Sequence, residues 1–281
     1  MNARATIGTR TAPPADLASA LEAARHDLDP YGRDIRYFES VGSTMDVARR
    51  LATQGAGDGL VVVADRQTAG RGRRGRRWFS PDRAGLYVSL LLEPLEAPIE
   101  PGLITLGAGV ALAEAIRAVA PAVPVCVKWP NDLVVEPPGG ARRKLGGILA
   151  EGLAVNGRLS RIILGFGINL QDGAPPPELA AHVTSLESLS GGPVDRAALL
   201  VHVLIRLRGV TGALGAGRAA EVLARWERLS PSSRGRRVAW STAAGSRRGT
   251  TAGVDPDGAL AVDTAEGRER IVSADLRWLS P

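Results

Sequence analysis

The chain has 281 residues, 44% of them hydrophobic and 23% charged, with one cysteine, three histidines and a formal net charge of +6. That length supports a sizeable core in one large domain or two unequal ones, and the balance of apolar and charged residues excludes a disordered chain. A lone cysteine excludes a disulfide framework or a multi-cysteine metal cage, and three scattered histidines argue against Ser–His–Asp chemistry; a reducing, cytoplasmic setting is the default.

Residues 1–33 are a polar lead-in with one short amphipathic helix, Ala15 to Leu28, whose apolar stripe is Leu17, Leu21 and Leu28. This is too short for a DNA-binding domain, and it lacks the charged start and apolar core of a signal peptide. No run of about 18 apolar residues predicts a membrane span. Ile35 to Phe38 reads as a strand. Ser43 then opens a helix through Leu51, with Asp46 three residues on as a capping-box partner. Leu60 to Asp65 and Leu86 to Leu92 read as buried strands, and Leu103 to Ala120 as a long, mostly apolar helix. A strand from Val123 to Trp129 leads through Lys128-Trp129-Pro130-Asn131-Asp132 into a second, Leu133 to Glu136. Pro137 to Gly140 then turn the chain into a return strand from Lys144, making a hairpin. Arg161 to Leu170 is a further strand, Pro175 to Pro177 mark a loop, and Arg196 to Leu214 and Ala219 to Leu229 are helices.

Ser230-Pro231-Ser232-Ser233 reads as a linker. Beyond it, short strands at Val238–Ser241, Thr250–Val254, Ala259–Asp263 and Arg268–Val272, with the turn signal Asp255-Pro256-Asp257-Gly258, predict a small β-barrel of roughly 50 residues. The expected organisation is an α+β sheet domain over 34–229, preceded by the extension 1–33 and followed by the barrel 230–281.

The charge is unevenly placed. Five arginines lie at positions 71, 73, 74, 76 and 77, and without them the net charge falls to +1. A localised excess points to a specific anionic ligand more than to general nucleic-acid coating. Glycines at 70, 72 and 75 alternate with these arginines, so the backbone can approach an anion closely while forked donors surround it. A solvated basic loop or an RNA-binding segment is the competing reading, but only Trp78 and Phe79 could stack a base nearby.

Lys128 and Lys144 are the only lysines among 35 basic residues. A lysine is a compact point charge where arginine is a planar fork, so each is either a chance survivor of an arginine-rich composition or a position at which arginine does not serve. Lys128 to Asp132 could hold a nucleotide, with Asp132 towards magnesium, or form a self-bonded turn. Lys144 precedes Gly146-Gly147, and Gly165-Phe166-Gly167-Ile168-Asn169 again sets glycines in an apolar strand. Such glycines mark either the approach of a ligand or a bulge. Ser43-Thr44 is an N-cap or a hydroxyl pair for a small polar ring.

In this order and spacing, Gln67, Gly70-Arg71-Gly72-Arg73-Arg74-Gly75-Arg76, Trp78, Lys128-Trp129-Pro130-Asn131-Asp132-Leu133, Lys144-Leu145-Gly146-Gly147-Ile148-Leu149 and Gly165 to Asn169 resemble the biotin–protein ligase family. The resemblance spans about 34 to 281 and favours the monofunctional bacterial type without a DNA-binding domain. It implies a class II synthetase-like catalytic domain, with a mixed or antiparallel sheet flanked by helices, and a C-terminal SH3-like β-barrel. It implies that Ser43, Thr44, Met45, Gln67, Gly70, Arg71, Gly72, Arg73 and Lys144 meet biotin. Arg73, Arg76, Trp78, Lys128, Asn131, Asp132, Lys144 and Asn169 would meet ATP or the adenylate. Lys144, Arg73, Asp132 and Lys128 would form the catalytic group, with Mg²⁺ on the ATP phosphates and Asp132 helping to place it. The expected partner is a biotin carboxyl carrier protein, with no DNA and no membrane, in a monomer or homodimer. The tryptophan that in some members of the family packs on adenine has no counterpart in the Pro-rich stretch after Asn169, where His182 stands instead. A lipoate–protein ligase of the same fold, or a nucleic-acid-binding regulator, are the alternatives.

Overall fold

The computed structural model describes residues 8–93, 100–136, 141–155, 158–242, 245–274 and 276–279. In chain order the elements are β1 (Arg10–Thr11), α1 (Ala15–Ala23), α2 (Arg25–Leu28), β2 (Asp34–Val41), α3 (Thr44–Thr53), β3 (Leu60–Gln67), β4 (Gly85–Leu92), α4 (Pro101–Val119), β5 (Val125–Lys128), β6 (Asp132–Val135), β7 (Arg143–Val155) and β8 (Arg158–Asn169). There follow α5 (Pro177–Ala180), α6 (Leu186–Ser190), α7 (Arg196–Gly215), α8 (Ala219–Leu229), β9 (Arg234–Thr242), β10 (Gly245–Val254), β11 (Leu260–Thr264), β12 (Gly267–Ile271) and β13 (Arg277–Trp278). A 3-10 turn, Arg73–Gly75, sits in the loop between β3 and β4.

Eight strands form one mixed sheet in the order β1-β2-β3-β4-β8-β7-β6-β5. Among the described strands of this sheet only β2 and β3 pair in parallel; their connection is α3, the crossover that a parallel pair requires. The sheet is buried on both faces, which is why β3 reads as an unbroken apolar run rather than an alternating one. Val61 and Val63 turn to the main core with Leu86, Val88 and Leu90. Leu60, Val62 and Ala64 turn the other way, onto Val47 and Ala48 of α3. On the main-core side α4 lies against β5 and β7 and is covered by α7 and α8.

Helices α4 and α7 have the length and apolar composition to cross a membrane, contrary to expectation, yet over half of each window is buried inside this fold. Their all-round hydrophobicity follows from packing on several sides.

The expected helix at 15–28 breaks at Ala24 into α1 and α2. Both pack on α7, and Tyr31 hydrogen-bonds Thr211 of that helix at 2.8 Å in a buried contact. The segment 230–233 is not an open linker. Ser232 is fully buried, and its carbonyl accepts a 3.0 Å hydrogen bond from the Thr251 hydroxyl. Beyond it, β9 to β13 form an antiparallel five-stranded sheet in the order β12-β11-β10-β9-β13, and β13 was not anticipated. Val238, Trp240, Leu260 and Val262 join the same apolar cluster as the main sheet. Trp129 donates its indole N–H to the Gly258 carbonyl at 3.1 Å, tying the β5–β6 turn to the β10–β11 turn. The expected turn at 137–140 lies outside the described residues.

One buried charge ties the layers together. Asp65, 1% exposed, accepts from the Tyr37 hydroxyl of β2 and pairs with Arg196 at the start of α7. Burial and this bond to the carboxylate push the Tyr37 phenol up to about 12. Removing one partner of a buried ion pair leaves an uncompensated charge. Asp65→Ala is therefore expected to lower unfolding stability by roughly 3–5 kcal/mol, read from denaturant titration. A loss under about 1 kcal/mol, the scale of an exposed pair, would contradict this role.

Candidate active site

The site is built on the sheet face that carries α3. Gly147 of β7 pairs with Gly167 of β8, and Leu149 with Gly165. A Cβ on Gly147 would come within 3.0 Å of the Trp78 ring, one on Gly167 would run into the Trp78 indole, and one on Gly165 into Met45. No register shift falls at these positions, so they are not bulges. They are where two large side chains lie flat on the sheet: the glycines admit Trp78 and Met45, and these side chains shape the cavity above them.

The resulting cavity has a volume of about 530 Å³. Ser43, Thr44, Met45, Gln67, Arg71, Gly72, Arg73, Arg76, Trp78, Lys128, Asn131, Asp132, Lys144 and Asn169 all reach its wall. Gly70 does not, contrary to the expectation that it meets biotin. It closes the base of the arginine loop, where Trp78 donates its backbone N–H to the Gly70 carbonyl at 2.9 Å and a Cβ would strike the Trp78 carbonyl.

One end is polar and neutral. Ser43 is the N-cap residue of α3, but its side chain makes no capping bond, and its buried Oγ has no partner. Asp46 does not complete a capping box; it turns to Arg71 at 3.0 Å. Gln67 Oε1 accepts from the Thr44 backbone N–H at 2.9 Å and from its hydroxyl at 3.1 Å, while Gln67 Nε2 donates to Ser80 Oγ at 2.9 Å. Ser89 donates to the Thr44 hydroxyl at 2.8 Å. These bonds fix the orientation of every polar group here except Ser43 Oγ. An orphaned buried hydroxyl on a cavity wall is an unused hydrogen-bonding group for a ligand.

The other end is charged. Asp132, at the start of β6, holds both lysines of the chain: Lys128 Nζ lies 2.9 Å from one carboxylate oxygen and Lys144 Nζ 2.5 Å from the other. The β5–β6 turn brings Lys128 round, and β7, adjacent to β6, delivers Lys144. Burial alone would raise the Asp132 carboxyl; the Lys144 and Lys128 ammoniums outweigh it and hold the group below its usual 3.8. Lys144 Nζ also stands 5.2 Å from the centroid of a Trp78 ring, within cation–π range. The Trp78 indole N–H is buried without a partner, the second orphaned group at the cavity.

The arginine loop folds back as a small hairpin, with Arg71 bridged to Arg77 and Arg74 in the left-handed region at φ 57°. Arg73 reaches Asn131 Oδ1 at 3.4 Å and Ser273 Oγ at 3.2 Å, spanning from the loop to the tail. Asn131 in turn donates to the Ile148 carbonyl at 2.7 Å. Asn169 donates to the Thr184 carbonyl at 3.0 Å. His182 is exposed and off the cavity wall, with its carbonyl accepting the Lys144 backbone N–H at 2.7 Å. The wall there is Leu179, Ala180, Val183 and, from the tail, Ala274, Leu276 and Trp278, over which Arg142 stacks at 5.1 Å. Sequence reasoning missed Trp278, because nothing local to a two-residue strand marks it as facing a cavity some 150 residues distant in the chain.

The residues do not fit a protein-held metal. Among the described residues no group of three or more His, Cys, Asp or Glu side chains is placed to hold one, and both oxygens of Asp132 are engaged by ammoniums. The geometry makes Asp132 a shared counter-ion for two ammoniums.

Residues 37–169 match the model of the biotin/lipoate A/B protein ligase family. The bifunctional ligase/repressor BirA of Bacillus spizizenii is 34% identical over 248 residues, covering 87% of this chain and 74% of that protein. The biotin–[acetyl-CoA-carboxylase] ligase of Paracoccus denitrificans is 30% identical over 249 residues, 83% of this chain and 96% of that protein. A solved biotin protein ligase from Aquifex aeolicus, in complex with biotin and ATP, superposes with a TM-score of 0.75 at 30% identity over 88% of this chain and all of that one. The α+β fold with one mixed sheet, the glycine-floored cavity and the paired ammoniums are, on these likenesses, those of a ligase. The chain belongs to the biotin–protein ligase family.

Asp132→Asn tests the electrostatics. A carboxyl held below its unfolded value adds stability above that value and loses it as pH falls through the lowered one. The variant is expected to be less stable than the parent at pH 7, with the gap closing only below pH 3.8. A gap independent of pH in that range contradicts the two-lysine clamp.

Proposed function

We propose that this ligase condenses biotin with ATP to biotinyl-5′-adenylate and pyrophosphate, then passes the biotinyl group to a lysine of a biotin carboxyl carrier protein. The observation that carries this reading is the pairing of an orphaned hydroxyl at the neutral end of the cavity with two ammoniums at the other. Biotin has the same polarity: a neutral hydrogen-bonding ring at one end and a carboxylate at the other. Ser43 Oγ, with the Thr44–Gln67 pair behind it, suits the ring. A dithiolane ring makes no comparable hydrogen bonds, so the orphaned Ser43 hydroxyl favours biotin over lipoate.

In the first step a carboxylate oxygen attacks the α-phosphorus, and the bond from that phosphorus to the bridging oxygen breaks, releasing pyrophosphate. No proton moves. The obstacle is repulsion between two anions, about 4 kcal/mol for unit charges 4 Å apart at an effective dielectric of 20. Lys144 and Arg73 bridge carboxylate and α-phosphate, Lys128 adds a second ammonium, and Asp132 keeps both lysines oriented. Catalysis is positioning plus charge stabilisation, which is why no histidine is needed. Mg²⁺ would be carried by the ATP phosphates and supply further charge neutralisation. In the second step the carrier amine attacks the acyl carbon, AMP leaves, and the amine loses a proton.

Arg76, Trp78, Asn131 and Asn169 complete the nucleotide end, and Arg71 and Gly72 the loop over biotin. The tail sheet reads as an SH3-like barrel whose end closes the cavity. A cytoplasmic location follows from the expected carrier. Against nucleic-acid binding, Arg71, Arg73 and Arg77 of the loop are engaged within the fold.

The decisive experiment is transfer of labelled biotin to a carrier domain with and without ATP, with calorimetric titration of biotin and lipoate alongside. ATP-dependent labelling and binding of biotin alone are expected; lipoate binding, or labelling without ATP, overturns the reading. Lys144→Arg keeps the charge but displaces it, and misplacement of about 1 Å costs on the order of 10²-fold. ATP–pyrophosphate exchange should fall by about that factor, and an unchanged rate removes Lys144 from the chemistry.

A further inference from the structure

Arg71 reaches the cavity wall, yet its guanidinium is committed elsewhere. One nitrogen lies 3.0 Å from Asp46 on the first turn of α3, and another 2.6 Å from Glu151 on β7. The second oxygen of Glu151 takes Arg49 of α3 at 2.6 Å. Neither Asp46 nor Glu151 is on the cavity wall. Four charged side chains from three segments are therefore linked in a chain behind the site, Asp46–Arg71–Glu151–Arg49, and Arg71 is the one member that belongs to the arginine loop.

The placement matters because of what the chain of ion pairs joins. Asp46 follows directly on Ser43 to Met45. Glu151 lies four residues beyond Gly147 on the strand that begins beside Lys144. The loop hairpin, held at its base by Gly70 and Trp78, is anchored at this point to both walls of the cavity at once. Partly exposed single ion pairs contribute little, but a fork shared between two carboxylates, one of them also held by Arg49, fixes geometry as well as charge.

We infer that Glu151 is a positioning residue. Through Arg71 it holds the loop down over the acyl-adenylate, so that the activated acyl group meets the carrier amine and not water. It touches no substrate. This deepens the function proposed above and rests on it for the adenylate; the effect on the loop itself does not.

The test compares Glu151→Gln with Arg49→Gln, which removes a partner of the same carboxylate without touching the loop. Two quantities are read: hydrogen exchange of residues 70–78 in ligand-free protein, and pyrophosphate formed per biotin transferred to carrier. Glu151→Gln is expected to speed loop exchange and to raise the pyrophosphate-to-transfer ratio about fivefold, close to 1 kcal/mol at 1.4 kcal/mol per tenfold. Arg49→Gln should leave both within twofold, because the Arg71 links to Glu151 and Asp46 survive it. The inference is overturned if Glu151→Gln leaves loop exchange and ratio at parental values, or if Arg49→Gln reproduces the same changes through general weakening. Should the parent form no pyrophosphate at all, the proposed reaction fails, while loop exchange still decides whether Glu151 holds the loop.

Discussion

Everything at the charged end of this cavity depends on one carboxylate shared by two ammoniums. Without Asp132, Lys128 and Lys144 would repel one another across a few ångströms of partly buried space, and neither would keep a fixed direction. With it, the cluster carries a net positive charge whose positions are set by β5, β6 and β7 rather than by flexible side chains. Fixed cations need no rearrangement as charge develops, which is the physical basis of electrostatic catalysis.

The fold supplies the rest by subtraction. Glycines at 147, 165 and 167 take bulk away from one face of a sheet otherwise filled by β-branched and leucine side chains, and the indole of Trp78 and the thioether of Met45 enter the space. The cavity floor is thus an aromatic ring and a polarisable sulfur atom laid on bare backbone, and the Trp78 ring also borders Lys144. Buried polar groups around it are satisfied, except the Ser43 hydroxyl and the Trp78 N–H. Those two exceptions sit where a ligand is needed to complete them.

The tail belongs to the site as well. Trp129 hydrogen-bonds Gly258, Arg73 reaches Ser273, and Trp278 stands on the cavity wall under Arg142. The five-stranded tail sheet consequently bears on the same cavity as the glycine floor, and the common apolar cluster makes the two parts mechanically continuous.

Local chemistry in the chain marked most of the elements, and the motifs at 43–45, 67–78, 128–132, 144–149 and 165–169 each contribute to the cavity wall, whereas its parts from 171–188 and 274–278 were not anticipated. Periodicity and apolar runs marked the long helices and central strands, the scarcity of lysine singled out Lys128 and Lys144, and glycine spacing marked the floor. What the chain could not convey was relation between distant segments. Ser43 and Asp46 have the spacing of a capping box, but Arg71 takes the Asp46 carboxylate, and the Asp46 backbone N–H bonds the Ser43 carbonyl instead of its hydroxyl. Ser230-Pro231-Ser232-Ser233 has the composition of a linker, but its three serines are buried, Ser233 Oγ donates to the Ser230 carbonyl, and the Ser232 carbonyl accepts from the Thr251 hydroxyl. The glycine pairs signalled a close approach without saying what approaches, and Gly70 belonged to the loop's own base. Helical and strand preferences act over a few residues, whereas ion-pair exchange, burial of a turn and the meeting of Trp278 with a distant cavity are decided by packing across the whole sheet.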